Sequence, residues 1–390
     1  MKMVSAKGLR IKTDEGELLD AISGTFNLPL GFNHPEVEFE VTWALDRMSF
    51  VPSDLRYAQL DLLEAALLAL SAKHGLNKVK LRDLCGSTAM EFAIKLAHAQ
   101  TGRRKILAFE RSHHGQTIAT IAISGSSTFR GEKLPWVHQL QQDVDIIPLN
   151  SDYGELKDYL QSRKYAAVVI EPVLGNGGNI PHSPEKFAGL RELCTLYGTE
   201  LIVDEVQTGF GRTGNLLACE TFNITPDIVV VGKGLGNGYP VAAVLYNDTL
   251  GDLKNYQHSF TTGAHPAGIV AGWVTERRLR KFVLHEAGPV MQHLKDGIHK
   301  FHSKHVKSVE RMTGVGMMWG IHLAGPDGVA TTNAIVKTAR EQCGLRLRSS
   351  QDGFGNVVKI RPALIATIDE IDEIMERLSR AFDLVLGGGV

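Results

Sequence analysis

Short apolar runs alternate with amphipathic segments through the middle of this chain. Five runs are apolar enough to form buried strands, at residues 106–109, 166–170, 201–203, 228–231 and 241–245. Segments with helical periodicity lie between several of these runs, at 88–100, 155–161 and 184–197. Buried strands that alternate with helices are typical of parallel sheets covered on both faces. The pattern therefore predicts an α/β fold with a large, mainly parallel sheet.

The last third of the chain follows a different pattern. A helical pattern at about 266–304 leads to strand-like segments at 314–323, 344–348 and 357–364, and a closing helix is predicted at 367–386. Strands and helices that do not alternate regularly indicate an α+β arrangement. We therefore expect a large domain at 43–283 and a smaller α+β domain at 284–390.

Composition limits the function without naming it. The chain has 390 residues, which is long enough for two domains with buried cores. The formal net charge of −1 gives no electrostatic preference for nucleic acid or an anionic membrane. No apolar run is long enough for a membrane helix, and the N-terminus lacks the apolar core of a signal peptide. The four cysteines show no metal-site spacing, so we expect no metal and a cytoplasmic protein.

Lys233 is the most informative position. It follows the apolar run 228–231 and has a glycine on each side. Lysine is almost never fully buried unless it is paired. Burial lowers the pKa of an amine and makes the neutral, nucleophilic form accessible, as a Schiff-base lysine requires.

Asp204 ends the preceding apolar run, and Gln207 follows it by three residues. Ligands of open α/β sheets bind beyond the carboxyl ends of the strands, so we expect Asp204 and Lys233 to meet at one site. A carboxylate that pairs with a pyridinium nitrogen and a lysine that forms an imine are the protein's part of pyridoxal phosphate (PLP) chemistry. We therefore predict Asp204 and Lys233 as catalytic residues and PLP as the cofactor.

The glycines around Lys233 also suggest a nucleotide-binding loop. A P-loop requires Ser or Thr directly after the lysine, and this chain has Gly234 there. No Gly-x-Gly-x-x-Gly register fits residues 232–238. Both observations disfavour an NAD or NTP site.

The chain resembles the class III aminotransferases in the segment 203–214, Val-Asp-Glu-Val-Gln-Thr-Gly-Phe-Gly-Arg-Thr-Gly, and in the later Thr-Pro-Asp and Gly-Lys-Gly. The resemblance implies the aspartate-aminotransferase fold, fold type I, with residues 1–42 packed against the smaller domain. It implies that Lys233 forms the Schiff base, Asp204 pairs with the ring nitrogen, Gln207 contacts the phenolic oxygen and Val206 packs on the ring.

Two further segments match the family at the cofactor. A helix is expected to open at residues 85–91, where Thr88 and Glu91 have capping-box spacing, and a helix N-terminus can bind an anion through its backbone N–H groups. A capped helix without a ligand would have the same sequence, but the resemblance places the phosphate at Gly86 and Ser87. It also places a stacking ring at His113, which could otherwise be a simple turn histidine.

The segment 258–266, His-Ser-Phe-Thr-Thr-Gly-Ala-His-Pro, resembles the family block that crosses to a partner subunit. Without the family, it reads as a polar turn before a helix that Pro266 starts. The resemblance implies that Thr261 reaches the phosphate of the neighbouring cofactor. We therefore expect a homodimer with shared active sites.

The substrate side departs from the family pattern. Lys359 stands where many members have a carboxylate-binding arginine, and Arg361 follows on the same face of a predicted strand. Either side chain could bind a substrate carboxylate, and Arg361 could instead pair with surface acids. Asn176 replaces the glutamate that gates this arginine in many members. These differences weaken an ornithine- or 4-aminobutyrate-type site and leave room for other amino donors.

The predicted function is transfer of an amino group from a primary amine or amino acid to a 2-oxo acid, pyruvate or 2-oxoglutarate. An aminomutase, a racemase, a decarboxylating transaminase or a phospho-lyase would use the same cofactor site. A catalytically inactive binding protein of fold type I is a third alternative. The presence of Asp204, Gln207 and Lys233 argues against inactivity.

Overall fold

A computed structural model describes residues 1–126, 135–353 and 355–387. In these ranges the strands are β1 (Met3–Lys7), β2 (Arg10–Thr13), β3 (Gly16–Asp20), β4 (Lys78–Asp83), β5 (Lys105–Phe109), β6 (Val144–Ile147), β7 (Tyr165–Ile170), β8 (Val173–Leu174), β9 (Ile180–Pro181), β10 (Glu200–Asp204), β11 (Ile228–Val231), β12 (Ala242–Tyr246), β13 (Val309–Val315), β14 (Met318–Leu323), β15 (Leu345–Arg346), β16 (Arg348–Ser349) and β17 (Val357–Ile360).

The α-helices are α1 (Ser23–Phe26), α2 (Pro35–Leu45), α3 (Ala58–Ser71), α4 (Gly86–Thr101), α5 (Ile118–Ile123), α6 (Pro135–Gln141), α7 (Tyr153–Leu160), α8 (Pro184–Tyr197), α9 (Ala218–Thr221), α10 (Pro266–Arg278), α11 (Leu284–Lys304), α12 (Gly328–Gln342) and α13 (Ile368–Leu386). Short 3-10 turns lie at Ala72–His74, Lys233–Gly236, Asp248–Leu250, Asn255–Gln257 and Ser350–Gly353, and a wide π turn at Leu279–Val283 joins α10 to α11. No helix in the described ranges is long and apolar enough to cross a membrane.

A seven-stranded sheet forms the centre of the fold, in the order β4-β12-β11-β10-β7-β5-β6. The pairs from β11 to β6 are parallel, and β12 is antiparallel to both of its neighbours. Alternate residues of the central strands enter two different cores, as Val203 and Ile202 of β10 illustrate. The sheet is therefore buried on both faces, and the predicted α/β fold with a mainly parallel sheet is confirmed.

The structure contains all five strands predicted for this sheet, and each bound differs by at most one residue. The sequence pattern missed β4 and β6, which are the two edge strands of the sheet. Edge strands bury less of their surface and carry more charge. Lys78, Lys80 and Arg82 alternate along β4, and this polarity hid the strand.

The two ends of the chain share one small sheet, in the order β1-β2-β3-β15. Leu19 of β3 pairs with Leu345 of β15 in parallel register. A second small sheet, β13-β14-β17-β16, carries the predicted substrate strand. The division into residues 1–42, 43–283 and 284–390 remains a prediction, and residues 354 and 388–390 of its last part lie outside the described ranges.

Candidate active site

Asp204 and Lys233 meet at one edge of the central sheet. Strands β10 and β11 are parallel neighbours, and Asp204 lies beside Val230 in their register. Lys233 follows the end of β11 by two residues. Both side chains line a cavity of about 340 Å³ that opens beyond the carboxyl ends of these strands.

The surroundings of the Lys233 amine lower its pKa. Burial lowers its pKa to about 8, Asp204 and Glu171 oppose this shift, and the positive charges of Arg361 and Arg348 add to it. The backbone of Lys233 has φ of 40°, a left-handed conformation that costs energy for a residue with a side chain. Strain of this kind often occurs at functional sites, where the surrounding structure enforces it.

Asp204 is held by a buried histidine. Its Oδ2 lies 2.8 Å from Nδ1 of His114, and its Oδ1 accepts a hydrogen bond of 3.0 Å from the backbone N–H of Val206. The sequence predicted a functional role for His113 and none for His114. Both line the cavity, but it is His114 that contacts the carboxylate.

Glu171 is a second buried carboxylate at this edge that the sequence argument did not assign. It follows β7 directly and accepts hydrogen bonds from the backbone N–H groups of His113 (2.9 Å) and Gly175 (3.0 Å). Burial raises the pKa of Glu171 to about 6, and the negative charge of Asp204 also raises it, whereas His114 and the two N–H groups act in the opposite direction. The same strand-end rule that identified Asp204 would have identified Glu171.

The N-terminus of α4 forms another side of the cavity. Gly86 and Ser87 both line it, and the helix begins two residues before the predicted cap. The predicted capping box is therefore wrong, because Thr88 lies inside the helix and its hydroxyl donates to the Cys85 carbonyl. The helix N-cap Cys85 makes no side-chain capping bond in the described structure, so the first N–H groups of α4 have no side-chain cap.

Val206 packs directly on this helix terminus. A Cβ atom at Gly86 would lie 2.7 Å from both methyl groups of Val206, so only glycine permits this contact. Val206 and Gln207 both line the cavity beside Asp204. The turn after β10 thus places Val206 and Gln207 around one space with Asp204, the last residue of the strand.

Lys359 and Arg361 lie side by side at the end of β17, and both are fully buried. The Lys359 amine donates to Oδ1 of Asn176 over 3.4 Å. The Phe26 ring centroid is 5.2 Å from Nζ of Lys359 and 4.2 Å from Cζ of Arg361. Arg361 also donates to Oε1 of Gln207, which connects the substrate strand to the cofactor cavity.

Arg348 is a third cation at this place, and the sequence argument did not assign it. It lies opposite Lys359 across the β16–β17 pair, and its Cζ is 5.6 Å from the Phe26 ring centroid. Arg348 is half-buried, in contrast to Lys359 and Arg361. Arg346 and Arg348 alternate in the predicted strand-like segment 344–348, and this alternation could have identified Arg348.

Thr261 lies away from the cavity of its own chain, with an exposed side chain. The segment before it is fixed by His258, whose Nε2 is 3.0 Å from Oδ1 of buried Asp83. Thr261 therefore follows a rigidly held residue but faces solvent within one chain.

The cavity fits PLP at each of its parts. An uncapped helix N-terminus suits a phosphate group, a buried carboxylate suits a protonated ring nitrogen, and a lysine with lowered pKa suits covalent attachment. In the described part of the chain, no cluster of three or more potential metal ligands is present. The residues would hold the cofactor between Val206 and His113, with Gln207 at its edge.

Comparison with known proteins agrees with this chemistry. The family model "Aminotransferase class-III" matches residues 1–382. An acetylornithine aminotransferase of Bacillus subtilis is 34% identical over 384 residues, which cover 96% of this chain and 93% of the relative. A putative [LysW]-aminoadipate semialdehyde/glutamate semialdehyde transaminase of Pyrococcus abyssi is 32% identical, over 96% of this chain and 94% of the relative.

Solved structures share the fold at lower sequence identity. An S-selective transaminase from Arthrobacter sp. superposes with a TM-score of 0.90 and 22% identity, over 100% of this chain and 94% of that one. The ornithine aminotransferase of Toxoplasma gondii has a TM-score of 0.88 and 24% identity, over 99% of this chain and 91% of that one. The chain therefore belongs to the class III aminotransferases, PLP-dependent enzymes of fold type I.

Proposed function

We propose that this enzyme transfers an amino group from a primary amine or amino acid to pyruvate or 2-oxoglutarate, with Lys233 as the residue that attaches the cofactor. The observation that carries the proposal is the Lys233 amine, which lies in one cavity with Asp204 and whose pKa, lowered to about 8, makes the neutral form accessible near physiological pH. Bound PLP supplies the electron sink for carbanion chemistry. Lys233 then moves the proton at the substrate carbon as a general base and acid.

The other residues have supporting roles in this proposal. Asp204 keeps a proton on the ring nitrogen, and His114 orients the carboxylate through its Nδ1. Gln207 donates to the phenolic oxygen, while Val206 and His113 enclose the ring. The N–H groups of Gly86 and Ser87 bind the phosphate.

For the carboxylate of the 2-oxo acid, we propose Arg348 with Lys359 behind it. Arg348 is half-buried and close enough to Lys233 for its charge to lower the pKa of that amine. A carboxylate beside Arg348 would therefore be near the reactive group. Like charges directly opposite on two strands are unfavourable, and a bound carboxylate would relieve the repulsion between Arg348 and Lys359.

We also propose a homodimer in which Thr261 serves the partner's cofactor. Several large apolar side chains of α2, α3 and the segment between them are exposed, namely Phe39, Trp43, Phe50, Leu55 and Leu62. Where such side chains form a contiguous patch, they mark protein–protein contacts. The chain has a near-neutral net charge and four cysteines that are free in the described structure, so we propose a cytoplasmic enzyme without nucleic-acid or membrane partners.

The test is a panel of donors and acceptors offered to the PLP-loaded enzyme. It includes simple primary amines, N-acetylornithine, which the B. subtilis relative is named for, and both 2-oxo acids. The expected result is conversion of the bound cofactor to its aminated form by a donor and its reversal by a 2-oxo acid, followed by absorbance. Consumption of a donor without any aminated cofactor would overturn transamination in favour of a mutase, racemase or lyase.

A further inference from the structure

We infer that Arg361 is a positioning residue that fixes the orientation of the Gln207 amide, and that it does not receive the substrate carboxylate. The inference rests on the proposed function, because it concerns how this chain holds the cofactor. It concerns a residue that the sequence argument had offered as a carboxylate receptor. The hydrogen bonds around the guanidinium group have directions that support this role.

One side of the guanidinium is anchored to the protein interior. Nη2 of Arg361 donates to the Gly175 carbonyl over 2.6 Å and to Oδ1 of Asn179. The Asn179 amide is itself oriented, because its Nδ2 donates to the Trp319 carbonyl over 2.5 Å. Arg361 therefore has little freedom to turn toward a substrate.

The other side of the guanidinium is directed at Gln207. Nη1 donates to Oε1 of Gln207 over 2.5 Å. Arginine has no acceptor, so this contact can form only with the amide oxygen. The Gln207 Nε2 must then take the other position of the amide. Arg361 thus makes Gln207 a hydrogen-bond donor toward the cavity.

Gly175 provides the space that this arrangement requires. A Cβ atom at Gly175 would lie 2.2 Å from Oε1 of Gln207, which is closer than any van der Waals contact allows. The same residue supplies the carbonyl that anchors Nη2. One glycine therefore supports both ends of the Arg361–Gln207 contact.

Arg361 is also shielded from ligands. Its side chain is fully buried, and the Phe26 ring lies 4.2 Å from Cζ. Its Nε has no hydrogen-bond partner in the described structure, but this atom is buried, and the Phe26 ring packs against the guanidinium group. The cation behind the Gln207 amide strengthens the donation of that amide to an anionic oxygen.

The consequence for the cofactor has a definite sign. A positive charge and a donor at the phenolic oxygen disfavour protonation of the bound cofactor. Removal of the charge, and release of the Gln207 amide to turn its oxygen inward, should favour protonation. Arg361→Met should therefore raise the pKa of the pH-dependent absorbance change of the bound cofactor by about one unit.

Two quantities are measured in three variants: the pKa of this absorbance change and the KM for the 2-oxo acid. Arg361→Met should raise the pKa of the absorbance change. The KM for the 2-oxo acid should change by a smaller factor than the proton affinity of the bound cofactor does. Lys359→Met, which removes the neighbouring cation of the same strand, should raise the acceptor KM and leave the titration nearly unchanged. Gly175→Ala keeps Arg361 but displaces Gln207, so it should also shift the titration upward and serves if Arg361→Met does not fold.

A fourth and a fifth variant test whether Arg361 acts through Gln207. In a Gln207→Leu background, Arg361→Met should add little further shift. A full additional shift would overturn the inference, as would an Arg361→Met enzyme with a strongly raised acceptor KM and an unchanged titration. Failure of the wild-type protein to bind PLP covalently would instead overturn the proposed function, so the two failures are distinguishable.

Discussion

Lys233 is half-buried, and the partial removal of its charged amine from water has a cost. Its pKa is lowered from 10.5 to about 8, so the folded protein binds this proton more weakly than the unfolded chain does. Below pH 8 the amine is charged in both states, and the full cost of burying that charge lowers the stability. As the pH rises from 8 to 10.5, the folded state loses its proton first and the cost disappears. The reactive residue thus lowers the stability of the cofactor-free protein at neutral pH.

Replacement of this amine should therefore stabilise the cofactor-free protein. We expect Lys233→Met to raise the melting temperature at pH 7 by about 2–4 °C, because a buried charge is exchanged for an apolar side chain of similar length. The gain should shrink between pH 8 and pH 10.5. Scanning calorimetry over this pH range checks the prediction, and a variant of lower stability at pH 7 would contradict it.

The proposed role of Arg348 can be tested by comparing substrates with and without a carboxylate. A hydrogen bond to a charged group contributes roughly 1.5–3 kcal/mol, so Arg348→Met should raise the KM for a 2-oxo acid about ten- to a hundredfold. The KM for an amine donor without a carboxylate should change little. Steady-state kinetics with both substrates provide the measurement, and Arg340→Met, which removes an exposed arginine of α12, is the matched control. Equal effects on both substrates would argue against the assignment.

Single elements differ in how well the sequence predicted them. Strands β10 and β11 were predictable because buried parallel strands are continuous apolar runs. Asp204 at the end of β10 and Lys233 just after β11 followed from the strand-end rule. His114 could not be assigned, because its partner is distant in sequence, whereas Arg348 was missed although it alternates with Arg346 in a predicted strand-like segment. The contact of His114 with Asp204 spans 90 residues, and no local pattern encodes it. Arg361 was recognised as important, but only its hydrogen-bond directions indicate what it does.

The role of the segment before α10 can be tested through His258. His258 holds its start through buried Asp83, and Lys95 contacts the other ring nitrogen at 3.4 Å. His258→Leu would leave the Asp83 carboxylate buried without this partner, at a cost of about 1–3 kcal/mol. We expect a lower melting temperature and faster loss of PLP on dialysis, since Thr261 follows in the same segment. Exposed His285 on α11, changed to Leu, is the control, and unchanged PLP retention in His258→Leu would contradict this role.

The two active sites of the proposed homodimer are expected to depend on each other. A Lys233→Ala chain lacks the amine of its own site, and a Thr261→Ala chain lacks the hydroxyl that we propose serves its partner. In a hybrid dimer, the Thr261→Ala chain keeps its own Lys233 and receives Thr261 from the partner, so one site is complete. Mixed and exchanged subunits should therefore recover up to about half of the wild-type activity per hybrid dimer. Absence of recovery, despite subunit exchange verified by mass spectrometry, would contradict shared sites.

Strand β3 can pair with β15 only late in synthesis, because the two strands are far apart along the chain. Asp20 and its partner Arg346 are 326 residues apart, so the N-terminal hairpin strands cannot complete their sheet until almost the whole polypeptide has left the ribosome. At about 5–20 residues per second, the outer edge of β3 waits roughly 15–65 seconds for its neighbour. During that interval an unpaired strand edge is available to other chains, which is the situation that leads to aggregation. Translation rate and chaperone supply should therefore influence the yield of this protein.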